Sequence, residues 1–324
     1  MKPGVRFAFL GLVCAVAAAM LWFVGRQPSE QQSPSLRPIL DRATETKAAV
    51  DHLGQELAKV STADEIALGR SLIEAAREQG LPEGVGPAHA REQAYLEDIL
   101  ASLVAGGGPR RPDIPFRVQL IEHPAINAFA LPGGSIFVTT AMLAFAENEA
   151  ELASVLAHEM AHVDLRHCIE RYQYELKARK VGGAPLADMA SLGTRLMLQG
   201  YQDEQEAEAD RWGMQMAARA GYHPQAGQCL FARLLAQWGG DAPPRTLPGE
   251  AAHSLSDALE DLFSSHPRPS LRITNLDRAL TEARLTPGQT PYYLGSQNRT
   301  TLTARSRHEI PAEFVTRNLR PGKP

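Results

Sequence analysis

The sequence predicts an α+β domain that is predominantly helical, with a small sheet at a cleft. Four stretches carry that reading. In EAELASVLAHEMAHV the apolar residues Leu152, Val155, Leu156 and Val163 recur at helical spacing behind Asn148 and Glu151, which read as a capping box. In QDEQEAEADRWGMQMAARAGYHP, Asp203 reads as an N-cap and Gly221 followed by Pro224 closes the helix. Between them in type are two short extended runs: PFRVQLIEH alternates like a strand, and GGSIFVTT follows a Pro-Gly-Gly turn.

Taken in order, the chain begins with a run from Phe7 to Val24 that contains no charge and follows Lys2 and Arg6. Such a run spans a bilayer if helical, with the N-terminus cytoplasmic and the remainder translocated. Residues 1–26 are therefore a membrane anchor or a signal peptide, since Ala15-Val16-Ala17 and Ala17-Ala18-Ala19 offer cleavage sites. Residues 27–36 are polar and proline-rich, a flexible linker. A single large domain is expected over 37–285, and the 44% hydrophobic composition is enough to give it a core.

Within that domain, residues 38–60 look amphipathic. A helix capped by Ser61 or Thr62 runs to Gly80, another lies near 88–104, and GGGPRRP makes a loop. The small, glycine-punctuated stretch at 182–200 is too broken to cross a membrane, so the domain is expected to lie outside it. PQAGQCLFARLLAQW is a helix, residues 239–265 are largely loop, and a helix begins near Pro269 after His266-Pro267. From residue 286 to 324 the chain lacks a period and either wraps the domain or is disordered. Cys168 and Cys229, the cysteines outside the apolar run, read as ordinary thiols, with pairing left open. With 37 acidic and 33 basic residues the net charge is −4, which gives nucleic acid no basic footprint to bind.

The chemistry is concentrated in His158-Glu159-Met160-Ala161-His162. Positions four apart stack on one helix face, so two imidazoles can share one metal ion while Glu159, about 100° round the helix, reaches a water beside it. With ten histidines in the chain, a chance HExxH is expected in roughly two such chains in a hundred. A catalytic zinc takes three protein ligands and leaves one position to water. The short-range third ligand of HExxHxxGxxH is excluded, because Leu165 and Cys168 occupy the required positions and His167 comes one residue early. Glu206 on the acidic helix can serve instead. Asp210, four residues on, shares its face, whereas Glu208 points elsewhere.

HEMAHVDLRH, then EAEAD and AGYHP, then SHPRPSLRI, together with STADEIALGR and INAFALPGGSIFVTTAML, resemble the gluzincin family of HtpX-, BepA- and Oma-like metalloproteases across roughly residues 60–280. The resemblance implies a zincin-like fold, one Zn2+ held by His158, His162 and Glu206, Glu159 as general base, and Asp210 as a second acidic catalytic residue. The same Asp210 can instead orient a ligand histidine through a hydrogen bond. A strand at the lip of the cleft is expected to pair with extended substrate, which assigns Gly134, Ser135 and Ile136 to substrate binding. The His-Pro element implies that His266 polarises the scissile carbonyl, occupies the open metal position as a latch, or caps a helix start. No tetratricopeptide repeats follow. The expected activity is hydrolysis of unfolded or misassembled envelope proteins on the periplasmic side of a bacterial inner membrane. The alternative is a zinc-stabilised assembly factor that rarely cleaves.

Overall fold

Helix α1, Thr62–Glu78, starts where Ser61 Oγ accepts from the Asp64 amide at 3.1 Å while Asp64 Oδ2 accepts from the Ser61 hydroxyl at 2.7 Å. Of the two expected caps, Ser61 is therefore the one used. The computed structural model describes residues 60–78, 84–173, 201–238, 269–285 and 290–319. Expectations for the N-terminal apolar run, the linker, the stretches 38–59, 182–200 and 239–265, and His266 lie outside those residues.

Helix α2, Ala90–Gly107, buries Tyr95, Leu96, Ile99, Leu100 and Leu103 along one stripe and stops at Gly108, whose φ of 63° is left-handed. Three strands follow: β1 (Arg117–Ile121), β2 (Ala128–Leu131) and β3 (Ser135–Thr139). They lie in the order β1-β3-β2, with β1 parallel and β2 antiparallel to β3. A short helix α3, Thr140–Phe145, leads to α4, Glu149–Asp164. Beyond Trp238-ended α6 (Ala226–Trp238) and the intervening α5 (Asp203–Arg219), the chain continues in α7 (Pro269–Glu282), β4 (Tyr292–Tyr293), α8 (Ser296–Thr301) and β5 (Phe314–Val315). The predominantly helical α+β reading holds.

The sheet corrects the substrate-strand assignment. Ser135 and Ile136 sit in the central strand, paired with Arg117 and Val118 on one side and with Leu131 and Ala130 on the other, and the Gly134 carbonyl accepts from the Arg117 amide. Gly134, Ser135 and Ile136 thus have no open edge to offer. Among the described residues the terminal strand on that side is β2, which sequence reading passed over. Its run Ala-Phe-Ala-Leu is buried at every position, so it lacks the alternation that marks a half-exposed strand.

Helices α4 and α5 make the most extensive contact between any two described elements. Gly213 permits it: a Cβ there would stand 2.9 Å from the Ala157 carbonyl oxygen and from the His158 N and Cα. That approach brings the start of α5 over the histidines of α4.

The far end of α4 is closed by the C-terminal chain. Asn148 Oδ1 accepts from the Glu151 amide at 3.0 Å, as expected of a cap, but Glu151 Oε2 accepts from the Glu147 amide instead of completing the box. The Glu149 and Ala150 amides, which have no partner within the helix, donate to the carbonyls of Gly295 and Leu294. The Tyr293 amide donates to Gly221 and the His223 amide to Tyr293, so residues 290–319 are built into the domain and Tyr293 is fully buried. No helix among the described residues is long and apolar enough to cross a membrane. Cys168 and Cys229 are both free thiols, and burial pushes Cys168 up to about 12 and Cys229 up to about 11.

Candidate metal centre and substrate cleft

The ligand residues expected from the sequence come together. His158, Glu159 and His162 are buried on α4, and Glu206 and Asp210 are buried on α5. The N-cap of α5 is Gln202, not Asp203, and the Gln202 amide donates to Gln205 Oε1 at 3.3 Å. Glu206 is accordingly the fourth helical residue. The shift does not alter the shared face of Glu206 and Asp210, because their spacing is unchanged.

His158 Nε2 lies 3.0 Å from His162 Nε2 and 3.4 Å from Glu206 Oε2, and His162 Nε2 lies 3.6 Å from Glu206 Oε1. One ligand atom from each residue falls within 4.8 Å of the others. Bonds of about 2.0–2.1 Å to a tetrahedral zinc place ligand atoms about 3.3–3.5 Å apart, so the cluster has the size and the donor chemistry of a three-ligand zinc site. Three electron-pair donors in a volume without bulk water repel one another unless a proton or a cation lies between them. The residues fit the metal that the sequence implies.

Each imidazole has a second face. His158 Nδ1 has Asp210 Oδ1 at 3.3 Å and Arg272 Nη2 at 3.0 Å. A guanidinium nitrogen only donates, so the tautomer that leaves an electron pair on Nε2 must send its Nδ1 proton to Asp210. Arg272, from α7, is fully enclosed. Its Nε and Nη2 bond Asp210 at 2.7 to 2.9 Å, its Nη1 lies 3.4 Å from Glu206 Oε2, and the guanidinium stacks 4.4 Å over Phe231. Burial alone lowers the pKa of Arg272, but the carboxylates of Asp210 and Glu206 outweigh it and hold the group above its ordinary value. Arg272 lies in SHPRPSLRI, where the sequence pattern gives it no role. An arginine three residues after Pro269 has no local signature, since its polar partners are more than sixty positions away.

His162 Nδ1 faces His167 Nδ1 at 3.1 Å, and its ring lies 3.7 Å from the Tyr201 ring at an interplanar angle of 16°. Burial lowers the pKa of the His167 imidazole, with nearby Glu208 offsetting part of that shift.

Glu159 and His158 form one wall of a cavity that extends between α4, α5, α6 and α7 and is lined by Met214, Leu230, Phe231 and Leu276. Ala128, at the start of β2, lines the same cavity. The terminal strand therefore borders the cleft, as the sequence led one to expect of a strand, although the strand is β2.

Comparison with known proteins agrees with this geometry. Residues 90–280 match the family described as Peptidase family M48. The chain belongs to that family. It is 36% identical over 196 residues to the beta-barrel assembly-enhancing protease of Yersinia pestis, covering 54% of this chain and 40% of that protein. To the protein of the same name in Escherichia coli K12 it is 28% identical over 220 residues, 62% of this chain and 42% of the relative. To the mitochondrial metalloendopeptidase OMA1 of Schizosaccharomyces pombe it is 29% identical over 206 residues, 61% and 56% respectively. The chain thus spans about half or less of the length of these relatives.

Proposed function

We propose that this M48 protein is a zinc-dependent endopeptidase that cleaves unfolded or misassembled proteins of the bacterial envelope. The observation that carries it is the buried set of His158 Nε2, His162 Nε2 and the Glu206 carboxylate, with Glu159 beside them on the wall of a cleft. His158, His162 and Glu206 hold the ion. When bound, the ion supplies Lewis acidity towards water and the peptide carbonyl.

Glu159 takes a proton from the attacking water and returns it to the leaving amine, so the carboxyl carries that proton for the lifetime of one catalytic step. Asp210 fixes the His158 tautomer by accepting from Nδ1, and Arg272 holds Asp210 in place through a forked contact. On this reading Asp210 is a positioning residue. Ala128 brings the start of β2 to the cleft, and backbone groups there orient an extended peptide through hydrogen bonds, which any sequence can make. The cavity beside Glu159 takes an apolar side chain. Extended backbone and exposed apolar side chains are what an unfolded chain presents and a folded one hides, which is the support for that substrate class. The envelope location rests on residues 1–26 acting as an anchor or signal that carries the remainder of the chain to the periplasmic side, and on the beta-barrel assembly named in the relatives.

Glu159→Gln tests the mechanism. It should bind one equivalent of Zn2+ like the wild type and hydrolyse unfolded casein at least about 10²–10⁴-fold more slowly. Casein cleavage at the wild-type rate would remove Glu159 from its role.

A further inference from the structure

The two ligand imidazoles are oriented by partners of different chemistry. His158 has a carboxylate, Asp210, at its Nδ1, whereas His162 has another imidazole, that of His167. His167 is not part of the HExxH spacing, and it stands one residue short of the third-ligand position of the short-range motif. Its location depends on the way α4 ends. Leu165 closes the helix, and Arg166 takes a φ of 68°, a left-handed conformation that an arginine adopts at some cost. The Arg166 guanidinium donates to the Val60 carbonyl at 2.7 Å, which helps hold the turn. The turn reverses the chain and carries the His167 ring, 2% exposed, beneath His162.

We infer that His167 is the positioning residue for the ligand His162, accepting the Nδ1 proton of His162 and so presenting the Nε2 electron pair to the metal. The inference rests on the metal-centre reading above. A contact of 3.1 Å between two Nδ1 atoms needs one proton between them. If that proton belonged to His167, neutral His162 would carry its own on Nε2, inside the ligand triangle, and could not bind a metal there. Metal binding therefore selects the arrangement in which His162 donates and His167 accepts. His167 then carries its proton on Nε2, which faces Glu208 Oε2 at 3.4 Å on the surface. The stacked Tyr201 ring fixes the plane of His162, and His167 fixes its rotation within that plane.

The test is competition for Zn2+ between the protein and a chromophoric chelator, together with thermal melts in excess chelator. His167→Leu removes the acceptor and should weaken Zn2+ binding about 10–100-fold. His167→Asn, whose Oδ1 can stand where Nδ1 stood, should recover most of that loss. A purely structural His167 would lower the metal-free melting temperature in both variants while leaving Zn2+ affinity unchanged in whatever folds, and that result overturns the inference. Should both variants fail to fold, a long-range 1H–15N spectrum of the Zn2+-loaded wild type decides: the inference requires His167 Nδ1 to be unprotonated, and a proton on it refutes the assignment. A wild-type protein that binds no Zn2+ removes the metal-centre reading itself, whereas tight wild-type binding matched by the leucine variant removes His167 alone.

Discussion

At the N-terminal end of α4, Glu149 is completely buried, and its carboxylate accepts from the Tyr222 hydroxyl at 2.8 Å and from the Arg305 amide at 3.0 and 3.1 Å. Further along the same helix, His158 and His162 are as deeply placed, but their Nε2 atoms turn towards each other and towards Glu206. Both ends bury polar groups, and both draw partners from distant parts of the chain. They differ in the direction of the chemistry. Around Glu149 donors meet an acceptor, so the cluster is satisfied by the protein and its role is to tie the C-terminal chain to the helix. Around the Nε2 atoms of His158 and His162, electron-pair donors meet electron-pair donors, and the arrangement becomes favourable with a cation among them. Burial of polar residues does not by itself mark a functional site; convergence of like groups does.

The largest effect on metal binding should come from making the same isosteric change at both ends. Glu206→Gln replaces a charged ligand with a neutral amide and should weaken Zn2+ binding by roughly a hundredfold or more. Glu149→Gln keeps an acceptor oxygen for Tyr222 and Arg305, and burial already raises the pKa of that carboxyl, so the charge it loses is one the site disfavours. Its stability should change by no more than about 1 kcal/mol and its Zn2+ affinity not at all. Chelator competition and thermal melts on the pair check this. Loss of zinc in Glu149→Gln would break the contrast between the two ends.

Arg272→Met sharpens the contrast at the metal end. The methionine keeps apolar volume over Phe231 but leaves the buried carboxylates of Asp210 and Glu206 without their guanidinium. Removing one member of a buried ion pair costs about 3–5 kcal/mol, which should appear as a lower melting temperature in chelator. Added Zn2+ should then raise the melting temperature more in the variant than in the wild type, because the ion replaces part of the missing positive charge. An equal rise in both proteins would show that Arg272 and the metal do not share those carboxylates.

The cluster of His158, His162 and Glu206 was legible in the sequence because its residues are local signals: two histidines one helical turn apart, and a carboxylate near the start of an acidic helix. The approach of Arg272 and of His167 to that cluster was not. Arg272 acts across sixty-two positions, and His167 gains its partner through a left-handed turn at Arg166 that arginine does not advertise. The sheet was half legible. Alternation revealed β1 and the turn revealed β3, but β2 is buried on both faces and reads as an apolar run, which moved the cleft-side strand one place across the sheet. Between residues 290 and 319 the chain packs through side-chain to backbone bonds, such as Ser296 and Gln297 amides to the Glu313 carboxylate, and these leave no period to detect.

The satisfied end should also answer to acid in a way of its own. His223 is buried, its Nδ1 accepts from the Gln225 amide at 3.2 Å, and its Nε2 therefore donates to the Arg317 carbonyl at 3.1 Å. Burial lowers its pKa below the ordinary value, with the Arg317 carbonyl offsetting part of the shift. The unfolded chain takes up a proton near pH 6.5 while the folded chain resists it, so this group is neutral in its effect above that pH. Below it, stability falls as pH drops from about 6.5 towards the depressed folded value. Denaturant midpoints at pH 7.5 and 5.5, measured in excess chelator to silence the metal end, should show a drop in the wild type that is smaller in His223→Gln. Faster amide exchange at Leu319, which donates to Gln225 Oε1 at 2.9 Å, should accompany the drop. Equal acid sensitivity in the two proteins would mean that the C-terminal chain is held at this end by Glu149 and Tyr293 without help from His223.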